Sequence, residues 1–344
     1  MTLHPAPLAR PELTLDLPVL GFGAAAIGNL YAAVEEGVAA RAVEAALAAG
    51  VDYFDTAPHY GFGLSERRLG AVLPATARIS TKVGRRLVPV SEALSRGERH
   101  GFVDAEPFEP HFDYSYGGVM ASFEASLERL NRDRIDLLMA HDLGRETHGD
   151  EHPYRLKEFV EGGYRALTVL KSEGRIGAIG LGVNEWQAAV AVLDHVDLDV
   201  VLLAGRYTLL EQTALDSFLP LCARRGVRVI VGGPFNSGAL VERPDASRPL
   251  HYNYAPASQE ICTRVAALQS VCDDHGVPLP AAALQFPMAH AQVASVIPGL
   301  ADPGQVDDAV RWRDTILPAA LWRDLRMAGL LHPDAPTPDE RPHP

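Results

Sequence analysis

The stretch VDYFD, residues 51–55, is a short apolar run that ends in a carboxylate, and runs of the same form recur along the chain. Seven more share its length, apolar character and helical flanks: LPVLGFG (17–23), ARISTKV (77–83), RIDLLMAH (134–141), IGAIGLG (176–182), DVVLLAG (199–205), VRVIVGG (227–233) and VASVIPG (293–299). Near-continuous apolar runs are typical of strands buried on both faces, and such strands are parallel. Eight strand–helix units in succession predict an α/β fold, a closed (β/α)8 TIM barrel.

The segments between the runs carry amphipathic patterns that predict the outer helices. They cover residues 37–49, 65–72, 117–131, 159–173, 185–195, 213–225 and 257–276, and a last one starts at 305. The connections 84–116, 142–158 and 233–257 are too long for plain turns, and long loops on the active face of a barrel shape its binding sites. We expect a single domain over residues 1–344, with a core of about 15–330 and a flexible tail at 331–344.

Composition narrows the class of protein. The 344 residues carry a net charge of −13, which argues against nucleic acid or an anionic membrane as partner. No apolar run is long enough to span a membrane, and residues 1–20 lack the apolar core of a secretory signal. Three cysteines form no paired framework and are typical of reduced thiols. We therefore expect a cytoplasmic protein, and the absence of coiled-coil heptads favours a monomer or a weak homodimer.

Four side chains at or just past the ends of three runs carry the clearest chemistry: Asp55, Tyr60, Lys82 and His141. Reactive residues of a barrel lie at the carboxyl ends of its strands, so these four are expected to converge. A phenol with a pKa of about 10 transfers protons poorly at neutral pH, but a nearby ammonium held by a carboxylate favours the phenolate. A neutral imidazole can hydrogen-bond a substrate oxygen without adding charge. Such a site has no electron acceptor, so a redox cofactor must supply one.

These four positions, together with YGFGLSERRLG (60–70), resemble the aldo-keto reductase superfamily, and the resemblance runs from about Leu20 to about Val310. It implies a TIM barrel that uses a nicotinamide cofactor. It further implies that Tyr60 donates or accepts the proton and that Lys82 and Asp55 tune it. His141 would then orient the substrate.

The resemblance also implies where the cofactor binds. Asn184 stands where the family holds the nicotinamide carboxamide, although it could equally cap the next helix. The loop 232–238, GGPFNSG, suits a diphosphate because its glycines let backbone amides approach, with a plain surface turn as the rival interpretation. The expected cofactor contacts are Gly23, Asn184, Gly233, Pro234, Phe235, Asn236, Ser237, Gly238, Pro298, Gly299, Asp302 and Gln305. The glutamine that the family often has near the carboxamide, after the sixth run, is absent. The aromatic residue that commonly stacks on the nicotinamide after the seventh run is also absent, and Phe235 or Tyr207 could replace it.

The segment VIPGLADPGQVDDAV after the eighth run bears on which nicotinamide cofactor is used. Relatives that use NADP have a lysine, a serine and an arginine here for the 2′-phosphate, whereas this chain has Gly299, Leu300 and Gln305. Asp302 adds a carboxylate, which would repel a phosphate but can accept a hydrogen bond from a free ribose hydroxyl. We therefore expect NAD rather than NADP.

Two other interpretations of local motifs deserve comparison. GFGAAAIG (21–28) imitates the glycine-rich fingerprint of a Rossmann fold, with Asp55 as its ribose-binding acid, but that leaves Tyr60 and Lys82 unexplained. His148 and His152 stand four residues apart and could ligate a metal if their loop were helical and anchored. A solvated polar loop is the simpler interpretation, and we expect no metal.

Three stretches resemble a subgroup of sugar dehydrogenases that includes D-threo-aldose (L-fucose) 1-dehydrogenase, L-galactose dehydrogenase and pyridoxal 4-dehydrogenase: FDYSYGGVMASFEASLERL (112–130), AHDLGRETHGD (140–150) and IGLGVNEW (179–186). The subgroup implies NAD-dependent oxidation of the anomeric C1 hydroxyl of an aldose to a lactone. Expected substrate contacts are His59, Arg85, Asp142 and Trp186, with Glu146 and His148 as further candidates. The alternatives are pyridoxal oxidation, NADPH-dependent reduction of aldehydes or ketones, and a non-enzymatic subunit.

Overall fold

The computed structural model describes residues 16–91, 97–241, 250–253 and 255–340. Its main sheet consists of eight parallel strands, which are β1 (Phe22–Gly23), β2 (Tyr53–Asp55), β3 (Arg78–Val83), β4 (Ile135–His141), β5 (Ile176–Val183), β6 (Val200–Ala204), β7 (Arg228–Gly232) and β8 (Val293–Ile297). β1 also meets β8 through the bridges Leu20↔Val296 and Gly23↔Gly299. The sheet thus closes on itself, which confirms the predicted (β/α)8 barrel and excludes the Rossmann interpretation of residues 21–28.

Helices cover the outside of the barrel in the predicted alternation. Six follow β1 to β6 in order: Glu36–Ala48, Leu64–Val72, Tyr116–Leu130, Tyr164–Ser172, Trp186–Leu193 and Phe218–Arg225. Gln259–Asp274 and Leu279–Met288 both lie between β7 and β8, and Pro303–Asp314 and Ala319–Met327 follow β8. The helix 279–288 was not predicted, because Pro280 and Pro287 obscure its pattern. Pro280 is tolerated since the first-turn amides of a helix have no intrahelical acceptor.

The core has two parts, as a barrel requires. Apolar side chains that point inward from the strands fill the barrel itself: Leu137, Met139, Ala178, Val200, Leu202, Ile230 and Ile297, with the ring of Tyr53. A much larger cluster lies between the strands and the helices. Strands buried on both faces explain why the runs read as continuous rather than alternating.

The long connections carry structure of their own. After β3, the strands Arg85–Pro89 and Phe108–Phe112 pair as an antiparallel hairpin, and the two-residue strands Glu98–Arg99 and Phe102–Val103 form a second one. After β4 come the short helices Arg145–His148 and His152–Glu158 and a π-helical turn at Phe159–Gly163. After β7, His251–Tyr252 pairs with Ala255–Pro256.

The first part of the expected flexible tail, up to residue 340, packs against the rest of the protein. Ala335 and Thr337 are buried, and Pro338–Glu340 forms a short 3-10 helix. The guanidinium of Arg326 donates a hydrogen bond to the Ala335 carbonyl at 2.6 Å. Residues 341–344 lie outside the described part of the chain. None of the described helices is long and apolar enough to cross a membrane. That the whole chain forms one domain remains a prediction.

Candidate active site

The four residues singled out in the sequence lie together at the carboxyl ends of β2, β3 and β4. Asp55 and His141 end their strands, and Lys82 is the penultimate residue of β3. Tyr60 opens the 3-10 turn Tyr60–Gly63, which returns the chain over the barrel mouth. The closed parallel barrel that the sequence predicts thus brings these side chains together at the carboxyl ends of its strands.

The ammonium of Lys82 is buried and fully hydrogen-bonded. Its Nζ lies 3.0 and 2.8 Å from the two carboxylate oxygens of Asp55, 2.9 Å from the Thr56 carbonyl and 3.1 Å from the Tyr60 hydroxyl. Burial by itself lowers the pKa of Lys82, but the charge of Asp55 and the hydrogen bonds to Asp55 and Tyr60 outweigh it and raise that pKa. Lys82 is therefore a fixed cation with one donor aimed at the phenol.

Burial raises the pKa of Tyr60 to about 12, although Lys82 acts in the opposite direction. The hydroxyl is consequently protonated at neutral pH in the free protein. A hydrogen bond from a cation stabilises the phenolate over the phenol, so Lys82 lowers the free energy needed to remove the proton.

His141 lies edge-on to Tyr60, with 5.9 Å between the ring centroids. Burial, followed by the charges of Arg85 and Lys82, lowers the pKa of its imidazole well below the usual range. The ring is therefore neutral at physiological pH and can hydrogen-bond a ligand oxygen. Tyr114 holds the end of β4 by donating a hydrogen bond to the His141 carbonyl at 2.6 Å.

A second polar cluster adjoins His141. The Arg85 guanidinium, from the hairpin after β3, pairs with the carboxylate of Asp142, and its other nitrogen lies 3.3 Å from Nε2 of His59. Asn184 donates from Nδ2 to the same carboxylate at 3.3 Å. The structure thus brings together three of the four expected substrate contacts, and it adds Asn184, which we had assigned to the cofactor.

Trp186 does not join this cluster. It begins the helix Trp186–Leu193, its indole nitrogen lies 3.4 Å from the Thr213 hydroxyl, and it packs against the outer core. His148 packs within its loop, with Nε2 3.0 Å from the Tyr114 hydroxyl and its ring edge-on to Phe112.

A cavity of about 1130 Å³ opens beside Tyr60 and Asp55. Ligand clefts usually measure about 300–1,000 Å³, so this one is large enough for a substrate and a dinucleotide together. Most of the expected cofactor contacts line it: Gly23, Asn184, Gly233, Phe235, Asn236, Ser237, Gly238, Gly299 and Gln305. The remaining three, Pro234, Pro298 and Asp302, are chain neighbours of lining residues.

The loop after β7 is built for close backbone approach. Gly233, Asn236 and Ser237 all have left-handed backbone angles, with φ of 56°, 47° and 58°. The Asn236 side chain fixes this conformation by bonding the Thr208 hydroxyl at 2.6 Å and the Gly205 carbonyl at 3.0 Å. The amides of Gly233, Asn236 and Gly238 donate to the carbonyls of Ile297, Gly233 and Phe235, so they stabilise the turn itself.

The two candidate stacking aromatics differ in position. Tyr207 is completely buried against Phe286 and His290, so its ring does not reach the cavity. Phe235 lines the cavity and packs edge-on against Trp312, with 5.5 Å between centroids.

Asp302 and Gln305 organise the start of the helix Pro303–Asp314. The Asp302 carboxylate caps it by accepting a hydrogen bond from the Gln305 amide at 3.0 Å, and Gln305 Oε1 accepts one from the Ala301 amide at 2.8 Å. Both residues therefore stabilise the start of this helix, in addition to any contact with the cofactor.

Sequence reasoning missed Arg206. It lines the cavity, donates to Asn253 Oδ1 at 2.7 Å and lies 3.7 Å from a carboxylate oxygen of Glu146. The sequence does indicate it, because Arg206 directly follows the sixth apolar run, at the end of a strand where binding residues of a barrel lie. The rim residues Leu30 and Tyr31, which belong to the turn after β1, were also missed.

The chain is similar over most of its length to known proteins of one family. The sequence profile of the Aldo/keto reductase family matches residues 19–327. The chain is 42% identical to pyridoxal 4-dehydrogenase of Microbacterium luteolum, over 94% of this chain and 97% of that protein. It is 39% identical to D-threo-aldose 1-dehydrogenase of Pseudomonas sp, over 94% and 96%. The solved glycerol dehydrogenase AKR11B4 of Gluconobacter oxydans matches with a TM-score of 0.72 over 97% of each chain, and at 21% identity it supports the fold alone.

Proposed function

The chain belongs to the aldo/keto reductase family, as its sequence predicted, and we propose that it oxidises the anomeric hydroxyl of a cyclic aldose to a lactone with NAD. The family and the named relatives make it an oxidoreductase that acts on CH–OH groups with a nicotinamide cofactor. The observation that carries the proposal is the position of Lys82 Nζ, 2.8 Å from Asp55 and 3.1 Å from the Tyr60 hydroxyl. A non-enzymatic subunit would have no need of a buried cation aimed at a phenol.

The cavity fits a dinucleotide. A Cβ placed on Gly299 meets no atom within 4 Å, and one on Gly233 would find its nearest neighbour 3.8 Å away, so both glycines border open space. The cation of Arg206, which lines this space together with the loop 233–238, would bind the diphosphate. When bound, the cofactor supplies a nicotinamide ring that accepts a hydride from C1 of the sugar.

The protein's own groups handle the proton and the orientation. Tyr60 accepts the proton of the anomeric hydroxyl as the C1–H bond breaks, and Lys82 stabilises the phenolate that this requires. Neutral His141 donates a hydrogen bond to the same oxygen. Asp142 and His59, both held by Arg85, lie beside His141 and would contact neighbouring hydroxyls of the ring, which would favour a polyol over a simple alcohol.

Preference for NAD is supported by the end of the cavity that Gly299, Gln305 and Asp308 line. Gln305 offers an amide there, Asp308 offers a carboxylate that pairs with the Arg311 guanidinium, and Asp302 lies at the adjacent helix start. Carboxylates repel a 2′-phosphate, whereas they accept hydrogen bonds from a ribose hydroxyl. An NADPH-dependent reductase would need the opposite charge at this end.

Pyridoxal is the second candidate substrate, because the relative at 42% identity is a pyridoxal 4-dehydrogenase. Pyridoxal forms a cyclic hemiacetal, so the same residues would oxidise it by the same steps. The two candidates differ in what surrounds the reacting carbon rather than in the chemistry at that carbon.

The test is a spectrophotometric assay of reduced nicotinamide with L-fucose, D-arabinose, L-galactose, D-galactose and pyridoxal, each with NAD and with NADP. We expect turnover of an aldose with NAD, loss of it in Tyr60→Phe, and a lactone in the product analysis. Turnover of pyridoxal alone would move the assignment to the second candidate. Inactivity on the whole panel, with NADPH-dependent reduction of simple aldehydes, would overturn the proposal.

We also propose that the protein works in the cytoplasm as a single-domain monomer or weak homodimer. Cys222, Cys262 and Cys272 are all unpaired, which suits a reducing compartment. Sedimentation velocity across a tenfold concentration range would detect a stable oligomer.

A further inference from the structure

The carboxylate of Asp55 has a partner besides Lys82. Its Oδ1 accepts a hydrogen bond from the Ser80 hydroxyl at 2.7 Å, and that hydroxyl lies 2.8 Å from the hydroxyl of Tyr53. All three side chains are buried. None of the roles assigned above uses Ser80 or Tyr53.

The direction of both hydrogen bonds follows from the chemistry of the groups. An ionised carboxylate can only accept, so Ser80 donates its single proton to Asp55. The Ser80 oxygen is then free only to accept, and Tyr53 must be the donor. Burial, reinforced by the charge of Asp55, raises the pKa of Tyr53 well above its usual range, which keeps it a donor throughout the accessible pH range.

The barrel register makes this chain of hydrogen bonds possible. Asp55 and Ser80 are directly paired residues of the parallel strands β2 and β3. Tyr53 precedes Asp55 by two residues, so both side chains point to the same face of β2, which is the barrel interior. Tyr53 lies among apolar side chains there, where phenylalanine would fill the same space. A buried hydroxyl is unfavourable unless it is hydrogen-bonded, and Ser80 supplies the acceptor that the Tyr53 hydroxyl needs.

We propose that Ser80 and Tyr53 are positioning residues, which fix the carboxylate of Asp55 with both oxygens toward Lys82 and thereby hold the Lys82 ammonium against the Tyr60 hydroxyl. Without the Ser80 hydroxyl, Oδ1 of Asp55 loses a hydrogen bond and the carboxylate can rotate. The hydrogen bond from the Lys82 ammonium to the Tyr60 oxygen is then weaker, and the phenolate form of Tyr60 is less stabilised. Because hydrogen bonds in a chain polarise one another, Tyr53 strengthens the donor that Ser80 presents. The catalytic meaning of this rests on the proposed function of Tyr60.

The experiment compares Ser80→Ala, Tyr53→Phe and the double variant in two measurements. One is the pH dependence of kcat/KM for oxidation with NAD. The other is the ionisation of Tyr60, which requires no activity: ultraviolet difference spectra up to about pH 11, with Tyr60→Phe subtracted, give the phenolate fraction from which the midpoint is extrapolated. The charged and titratable groups that face Tyr60 and Asp55 are Lys82, His141, Arg85, Asp142 and, nearer Tyr53, Asp136, and all stay unchanged in these variants.

Two matched controls remove buried hydroxyls that have no hydrogen-bond partner in the described residues. Tyr207→Phe is the counterpart of Tyr53→Phe, and Ser295→Ala is the counterpart of Ser80→Ala. Thermal unfolding accompanies every variant. Ser80→Ala leaves the Tyr53 hydroxyl without an acceptor and is expected to lower Tm, whereas the double variant restores part of the loss.

We expect Ser80→Ala to raise the titration midpoint of Tyr60 by roughly half a unit to one unit, the equivalent of one hydrogen bond. Tyr53→Phe should raise it less, and the double variant no more than Ser80→Ala, because Tyr53 acts through Ser80. Midpoints equal to the wild type in both single variants, or equal shifts in the two controls, would overturn the proposal. If the titration shifts but no substrate is oxidised, the positioning role stands and the proposed function fails.

Discussion

The guanidinium of Arg85 and the carboxylate of Asp142 form an ion pair in which only 14% and 11% of the two side chains are exposed. Arg85 comes from the hairpin after β3 and Asp142 from the end of β4, next to His141. The pair therefore joins two loops beside the His141 imidazole, whose Nε2 lies 3.5 Å from the Asp142 carboxylate. Removing one of these charges would leave the other buried without a counter-ion, and it would also remove a hydrogen-bonding group from the expected substrate site.

Asp142→Asn should weaken sugar binding. A hydrogen bond from a neutral group to a charged one contributes about 1.5–3 kcal/mol, so we expect KM for the sugar to rise by roughly ten- to a hundredfold. The affinity for NAD, measured by quenching of intrinsic fluorescence, should change far less. An unchanged KM for the sugar would contradict a substrate role for Asp142.

The rate of oxidation should increase with pH. Burial raises the pKa of Tyr60 to about 12, so the fraction of phenolate increases with each pH unit up to that value. Reduction with NADH needs the protonated phenol and should not increase in the same range. kcat/KM measured in both directions from pH 6 to pH 10 checks the sign, and a decline of the oxidation rate with pH would contradict it.

No break in that profile should come from His141. Burial, with the charges of Arg85 and Lys82, lowers its pKa well below the usual range, so the ring does not change charge near neutral pH. If a break near the ordinary histidine value of about 6.5 appears and is lost in His141→Gln, the imidazole titrates and our electrostatic account is incorrect.

Cofactor preference should respond to two substitutions. The open space at Gly299 admits a longer side chain, so Gly299→Lys combined with Gln305→Arg places two cations where the 2′-phosphate is expected. We expect the ratio of kcat/KM for NADP to that for NAD to rise at least tenfold. Gly299→Leu with Gln305→Met is the uncharged control, and an equal change in the control would show that charge is not the cause.

Lys82 and Asp55 should depend on each other for stability. Lys82→Met leaves the buried carboxylate without its counter-ion, which typically costs about 3–5 kcal/mol in the free energy of unfolding. Lys82→Met combined with Asp55→Asn should recover much of that loss, although both variants lack activity. Urea unfolding of the two variants tests the dependence, and equal losses in both would contradict it.

The sequence predicted the barrel because near-continuous apolar runs indicate strands that are buried on both faces. It predicted the convergence of Asp55, Tyr60, Lys82 and His141 because the carboxyl ends of the strands meet at one end of a barrel. It did not predict the direction of loop side chains. Arg85 meets Asp142 across 57 residues of chain, and Asp302 is occupied as a helix cap. Tyr207 and Trp186 looked available because they are aromatic, but both are committed to packing. Such outcomes depend on contacts between distant segments, which no local pattern encodes.

The apolar side chains that fill the barrel, such as Leu137, Met139 and Ile230, have a consequence for the timing of turnover. They make the described barrel interior largely apolar, so we expect the proton that Tyr60 accepts to return to water through the same opening that admits sugar and cofactor. While product and reduced cofactor remain bound, they occupy that opening. Proton release and product departure therefore become one kinetic event, and a solvent isotope effect on kcat would report on the opening of the complex rather than on the acidity of the phenol.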